Sequence, residues 1–361
     1  MKAKLTKIDV KNNTVFIGID VHQRTWYVTI IYGEFRKSFC ISSDAKILVN
    51  YLNKIFVNAK YLAGYEAGCF GFAPYEKLIA EGISVKVLPP SLIPTSLKDK
   101  KNKSDKADSL RIANTIRDGY VAGIYVPTSV EQEHRELVRY RDTLSKDKAR
   151  LKNQIKSLLR KFGVAYPEKY SDNKKHWSNN FVKWLSSLRF KTESCNLVMK
   201  KQIDRLEFIK KQYLEVLREI RQLSRTAVYK EIIALIQSTP GVGLVCSMTV
   251  VTEIVDFTRF KNFDCLASYS GLSPTEHSSG DKRIIGHLNR RCNNRLRKVL
   301  IEAAWVAIRC DKELRSFYDK QIGERKKPKG EAIVKVAIRL LASIRHIVLH
   351  NEPYVSGVTA A

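Results

Sequence analysis

The stretch Lys103–Ala113, KSDKADSLRIA, sets Asp105 and Asp108 three residues apart in a segment with helical periodicity. That spacing puts both carboxylates on one face of a helix. Like charges a turn apart repel unless a cation or water offsets them, so the pair reads as a solvated surface or as half of a metal site. Two further carboxylates bear on the choice. Asp20 closes Thr14–Asp20, TVFIGID, and Glu66 closes Tyr61–Glu66, YLAGYE; both runs are short, apolar, rich in β-formers and carry Gly near the acid. Four carboxylates in this arrangement could hold two oxygen-seeking cations. Mg²⁺, with Mn²⁺ as its substitute, takes carboxylate and water oxygens, and a metal pair activates an attacking oxygen and stabilises a leaving one in phosphodiester chemistry.

Outward from these acids, Val15–Val21, Thr25–Ile31 and Phe35–Ile41 read as three strands joined by short turns, which predicts a meander. Ile47, Leu48, Tyr51, Leu52 and Ile55 then fall on one helical stripe. The Tyr61–Glu66 strand follows, then a helix over Phe72–Glu81, a strand over Ser84–Leu88, a Pro-rich bend at Pro89, Pro90 and Pro94, and the helix bearing Asp105 and Asp108. This order resembles the ribonuclease H fold, in which the first strand, the fourth strand and the last helix bring their acids to one end of the sheet. Lys98, Lys100, Lys101 and Lys103 lie in KDKKNKSDK before that helix, too polar to pack: a solvated loop, a strip along a phosphate backbone, or both.

The whole chain of 361 residues has room for two or three domains. Its 64 Lys and Arg against 36 Asp and Glu give a formal net charge of +28, so a polyanion is the expected partner. An anionic membrane surface is the weaker alternative. Ala332–Leu349 is the most apolar helical stretch but is interrupted by Lys335, Arg339 and Arg345, so no membrane partner is expected. The N-terminus lacks an apolar run of signal-peptide length, which predicts a cytoplasmic protein. Seven cysteines without a CxxC pair argue against a disulfide framework or a structural zinc site.

From Glu131 to about Lys230 the pattern becomes long helices. Leu137, Leu144, Leu151 and Leu158 recur every seven residues, with Ile155 and Phe162 beside them; Met199, Leu206, Tyr213 and Ile220 form a second register with Ile209, Val216 and Leu223. The pair reads equally as a helical hairpin within one chain or as a coiled coil between subunits. Cations outnumber acids here, and the break between the helices mixes them with Trp177 and Trp184, residues that would stack on unpaired bases or fill a core.

A third unit starts near Ile232. STPGVG at 238–243 resembles a helix-hairpin-helix, in which Gly241 and Gly243 permit a tight turn and expose backbone N–H groups to a phosphate. In Gly271–Gly280, Pro274 predicts a turn and Ser278, Ser279 and Gly280 a polar loop. A serine there is ordinarily a turn residue, and becomes a nucleophile only with help in losing its proton. Lys282, Arg283, Arg290, Arg291 and Arg295 could hold a phosphodiester beside it.

With GIDVH around Asp20, GYEA around Glu66, KSDKADSLRIA, TPGVG, SYSGLSPTEHSSG and RCNNRLRKVLIEAA in this order, the chain resembles the IS-one-ten family of insertion-sequence transposases. The resemblance implies an α/β plus all-α chain. A ribonuclease H-like, RuvC-like domain would occupy 1–125, a helical coiled-coil region 126–230, and a mainly helical serine transposase domain with the helix-hairpin-helix-like motif 231–350, before a tail at 351–361. It further implies Mg²⁺ on Asp20, Glu66, Asp105 and Asp108, and a phosphoserine link through Ser279, with Ser278 as fallback. The implied partners are donor and target DNA, a structured guide (bridge) RNA from the same element, and further copies of the chain, as homodimers pairing into homotetramers in which the acids of one subunit complete the serine site of another. Such a protein would work on the prokaryotic nucleoid. The main competitor is a RuvC-type structure-specific endonuclease, a Holliday-junction resolvase using the same acids with metal-activated water. A non-enzymatic binding protein leaves the four acids unexplained. The segment Lys169–Trp184 departs from the family pattern.

Overall fold

The computed structural model describes residues 7–94, 104–172, 176–279 and 282–356. The chain divides into two compact units between Val126 and Pro127.

In the N-terminal unit, β1 (Ile8–Asp9) is followed by β2 (Thr14–Val21), β3 (Thr25–Tyr32) and β4 (Phe35–Ser42), the antiparallel meander that the alternation of apolar residues predicts. Helix α1 (Ala45–Ile55), the short β5 (Phe56–Val57) and β6 (Lys60–Glu66) come next, then α2 (Ala73–Ala80), β7 (Ser84–Leu88) and α3 (Asp105–Asp118). The sheet order is β4-β3-β2-β6-β7, with β6 parallel to both neighbours, while β1 pairs with β5 apart from it.

The sequence alternation sorts the two faces of this sheet. Val15, Ile17 and Ile19 of β2 point with Trp26, Val28 and Ile30 of β3 into a core closed by Leu48, Leu52 and Ile55 of α1 and Leu78 of α2. The opposite face presents a row of small residues across four strands, Ser38, Thr29, Gly18 and Gly64, each paired with the next. Helix α3 lies in that trough. A Cβ on Gly18 would overlap the Ser109 carbonyl and the Ala113 backbone, and one on Gly64 would overlap the Ile116 side chain. The buried hydroxyls of Thr29 and Ser109 meet at 2.7 Å and fix the helix against the sheet, with Ile112 and Ile116 packed around them.

The C-terminal unit is mainly helical. Helix α4 (Ser129–Lys161) starts at a capping box in which the Glu131 N–H donates to Thr128 Oγ1 and the Thr128 N–H to Glu131 Oε2, satisfying two otherwise orphaned donors. After α5 (Asn179–Ser187), α6 (Glu193–Leu223) returns along α4: Arg141 reaches the Tyr213 hydroxyl at 2.7 Å, and Phe162 meets Phe190 just ahead of α6. The heptads therefore close on each other within one chain, an antiparallel hairpin with Leu144, Leu151, Ile155, Met199, Leu206 and Ile209 buried in its seam.

Helices α7 (Lys230–Gln237) and α8 (Leu244–Ile254) flank TPGVG. They are followed by α9 (Phe263–Tyr269), a hairpin of β8 (Pro274–Ser279) and β9 (Lys282–Leu288), and α10 (Asn294–Cys310), α11 (Lys312–Gly323) and α12 (Lys329–His350). The apolar face of α12, Ile333, Val336, Leu340, Leu341 and Ile344, sits in the core of this unit. Val138 of α4 and Ile220 of α6 join the same core. Glu253, 1% exposed, ties three helices together: Arg139 of α4 donates to its two oxygens at 2.8 and 2.9 Å, and the Asn293 amide ahead of α10 at 2.8 Å. Among the described residues, no helix is long and apolar enough to cross a membrane.

Candidate functional site

The position of the acids follows from the trough. Asp20 lies two residues beyond Gly18, and Glu66 two beyond Gly64, so both belong to the face that α3 covers, at the ends of neighbouring parallel strands. Helix α3 begins at this edge. Ser104 caps it by accepting from the Ala107 N–H at 3.3 Å, and Asp105 and Asp108 occupy its first turn, where the helix dipole favours negative charge.

The carboxylates do not form one symmetric set. Asp20, His22 and Asp105 converge, with one ligand atom from each lying within 4.8 Å of the others. His22 Nε2 is 3.3 Å from Asp20 Oδ2 and 3.4 Å from Asp105 Oδ2. Asp108 is buried and turns its carboxylate against the Arg111 guanidinium one turn along the helix. Glu66 is exposed at the strand end, outside the converged group. Two carboxylate oxygens and an imidazole nitrogen fit a divalent cation with room for water. His22 is the residue that sequence reasoning missed. Its signal was GIDVH itself: a histidine in the turn directly after the strand that ends at an acid.

In the C-terminal unit, Ser278 and Ser279 belong to strand β8, correcting the expected polar loop. Ser279 is paired with Lys282 and Ser278 with Arg283. The connection holds only Gly280 and Asp281 in sequence, and Gly-Asp between two runs is a hairpin signal that outweighs the turn preference of Pro274, which instead begins the strand. Arg290 and Arg291 are exposed after β9. Arg295 is half-buried in the first turn of α10, with no hydrogen-bond partner for its Nε among the described residues. Arg297 is structural, donating to the Gly271 carbonyl at 2.7 Å and to the Asn289 carbonyl.

The two glycines of TPGVG divide their roles. Gly241 has φ +76° and lies where a Cβ would overlap the Ala303 carbonyl and the Ala307 nitrogen of α10, so it serves packing. Gly243 is exposed at the N-cap of α8 with open space where a side chain would stand, which leaves the helix N-terminus accessible. Lys98, Lys100, Lys101 and Lys103 lie outside the described residues.

The chain thus joins a sheet with carboxylates at its strand ends to a mainly helical unit with a hairpin that carries Ser278 and Ser279. Residues 17–163 match the DEDD transposase domain of IS110 elements, and residues 233–319 match the transposase domain of the IS116/IS110/IS902 family. The chain belongs to that family of transposases. It is 26% identical over 295 residues to the transposase of insertion sequence element IS1111A of Coxiella burnetii, covering 78% of this chain and 76% of that one. Identity to a Sinorhizobium fredii protein named as transposase y4qE is 27% over 264 residues, 73% of this chain and 60% of the relative. The match thus spans less than two thirds of the latter's length. The IS1328 transposase of Yersinia enterocolitica is 23% identical over 226 residues, 62% of this chain and 64% of its own.

Proposed function

We propose that the protein cuts and rejoins DNA for an insertion sequence, with donor and target DNA as substrates and a structured guide RNA of the same element selecting them. The observation that carries the reading is the convergence of Asp20 and Asp105 at the edge where β2 ends and α3 begins, inside the segment that matches the DEDD transposase domain. The strand order, with α3 across the sheet, supports a ribonuclease H-like, RuvC-like reading of this unit.

Asp20 and Asp105, which converge with His22, are the residues that would hold Mg²⁺ or Mn²⁺, joined by Glu66 and Asp108 once these turn toward the cation from the strand end and from Arg111. When bound, the cation would offset charge on the scissile phosphate and lower the barrier to deprotonating the attacking hydroxyl. Ser279 is assigned as the nucleophile. Its Oγ forms a bond to phosphorus while the bond from phosphorus to the leaving nucleotide oxygen breaks, and that oxygen takes up the proton the serine gives away. The phosphodiester is conserved as a phosphoserine, so a hydroxyl of the incoming strand reverses the step and rejoins DNA without an external energy source. Lys282, Arg283, Arg290, Arg291 and Arg295 grip the flanking strand, and the exposed N-terminus of α8 accepts a backbone phosphate. The net charge of +28 suits such polyanions.

Self-association into dimers and tetramers is supported by α6, which leaves Leu197 and Phe208 more than half exposed on one face, eleven residues or three turns apart. The protein would work in the cytoplasm, at the nucleoid.

The decisive experiment denatures a cleavage reaction and looks for DNA attached to the protein. An adduct lost in Ser279→Ala, with nucleic-acid affinity retained, is the expected result. Loss in Ser278→Ala alone would move the role by one residue. Cleavage without any adduct would replace this reading by that of a resolvase in which water attacks.

A further inference from the structure

The turn between α4 and α6 is built differently from the rest of the C-terminal unit. Tyr170, Trp177 and Trp184 surround the fully buried Phe181, with ring centroids 5.1, 5.4 and 5.3 Å from it. Trp177 adopts φ +71°, a conformation that a bulky L-residue takes only when its surroundings enforce it. The Lys152 ammonium stands 5.1 Å from its ring centre.

Two clefts open beside this aromatic cluster, and both reach Tyr170. One, of 600 Å³, has Tyr170 and Trp184 in its walls and Lys169, Lys183, Ser178 and Asn180 around them. The other, of 360 Å³, lies between Tyr166 and His176 with Lys156 and Arg160 beside them. No carboxylate lines either cleft among the described residues.

Cations also line the approach. Lys148, Lys152, Lys156 and Arg160 recur every fourth residue of α4, at steps of about 6 Å along the helix. Burial, together with the charges of Lys148, Lys210 and Lys156, holds the Lys152 ammonium below the usual lysine range. Cations set beside aromatic faces suit a polyanion with flat bases better than an apolar peptide.

We propose that this end of the helical hairpin holds unpaired nucleic acid, with one base in the Tyr170–Trp184 cleft, its edge met by Asn180 and Ser178, and the flanking phosphates on Lys169 and Lys183. Single strands are selected because aromatic walls read base faces, which a duplex keeps stacked inside. The site needs nothing from the carboxylate cluster of the N-terminal unit.

The test uses the full chain and labelled oligo(U), oligo(dT) and a mixed-sequence duplex, each about 12 nucleotides or base pairs long, near the footprint of a single-strand binding module. The doubly substituted Lys169→Ala/Lys183→Ala protein should bind both single strands about tenfold more weakly, with the slope of log affinity against log salt reduced by about 1.4, as expected for two lost phosphate contacts. Duplex affinity should stay within about twofold of wild type, because base pairing withholds the faces the cleft reads. Photocrosslinking of 5-bromouracil-substituted oligo(U) to wild-type protein should label the peptide containing Tyr170 or Trp184. Unchanged single-strand affinity, an equal loss on the duplex, or labelling confined to other peptides would overturn the inference. Any preference between oligo(U) and oligo(dT) tells which strand is held, and either order supports the site. DNA cleavage with no crosslink at this cleft would overturn the inference while leaving the proposed function standing.

Discussion

Two carboxylate centres in this protein are built on opposite principles. Glu253 is buried and its oxygens are answered by Arg139 and Asn293. Asp20 and Asp105 sit at a sheet edge, with the His22 nitrogen at 3.3 and 3.4 Å from them and more than half of the Asp105 side chain exposed. A buried, compensated charge holds helices together, whereas acids converged at an exposed edge beside an imidazole are accessible to a ligand from solvent. Burial thus distinguishes Glu253 from the exposed Asp105, a difference that the sequence does not show.

The sharpest way to break this contrast is to neutralise one acid of each kind. Asp20→Asn or Asp105→Asn should lower DNA cleavage by about a thousandfold or more, since several kcal/mol of charge stabilisation are removed, while the melting temperature stays close to wild type. Cleavage at the wild-type rate in both variants would end the functional reading of that edge.

Glu253→Gln should do the reverse. It leaves the Arg139 charge without its buried partner and should cost about 3 kcal/mol of stability at neutral pH, the lower end of such losses because Arg139 keeps Glu136 at 3.0 Å. Burial pushes the Glu253 carboxyl up, but the hydrogen bonds and charge of Arg139, with Asn293, hold it below the usual glutamate range. Its contribution is therefore complete above the unfolded value of about 4.3, and is lost as pH falls through the lower folded value. Urea midpoints of wild type and variant should accordingly converge on acidification from pH 7. A gap that widens toward acid would contradict the assignment.

Gly18→Ala tests how the open site is positioned without touching an acid. The added methyl meets the α3 backbone, so the variant should lose about 1–3 kcal/mol and cleave DNA poorly even where it remains folded, as judged by circular dichroism. His22→Ala has the smallest expected effect, a weakening of Mn²⁺ affinity of about tenfold by calorimetry. Unchanged affinity would leave the imidazole as a bystander.

Much of this was legible in sequence. The meander and the small residues near Asp20 and Glu66 follow from period-two alternation in TVFIGID and YLAGYE, which assigns each residue to a face before any pairing is known. What could not be read depends on partners distant along the chain. Arg139 and Glu253 are 114 residues apart, and His22 finds Asp105 only after four further strands of the sheet are in place. The heptad reading identified the seam but drifted. Leu159, outside both chosen registers, is fully buried, whereas Phe162 is half exposed, as expected when a helix of 3.6 residues per turn departs about 20° per heptad from a seven-residue repeat. The serine hairpin was obscured because Pro and Ser are turn formers in isolation, and only the strand pairing overrides them.

The glycine trough under α3 has a genetic consequence. Glycine and alanine codons differ at one base, so a single transversion at codon 18 suffices to set a methyl group against the helix that carries two of the four acids. Copies of a mobile element silenced in this way would keep all four carboxylates intact. A survey of such copies for decay should therefore inspect codons 18 and 64 beside those of the acids, because inactivation at these positions would leave the carboxylate motifs unchanged.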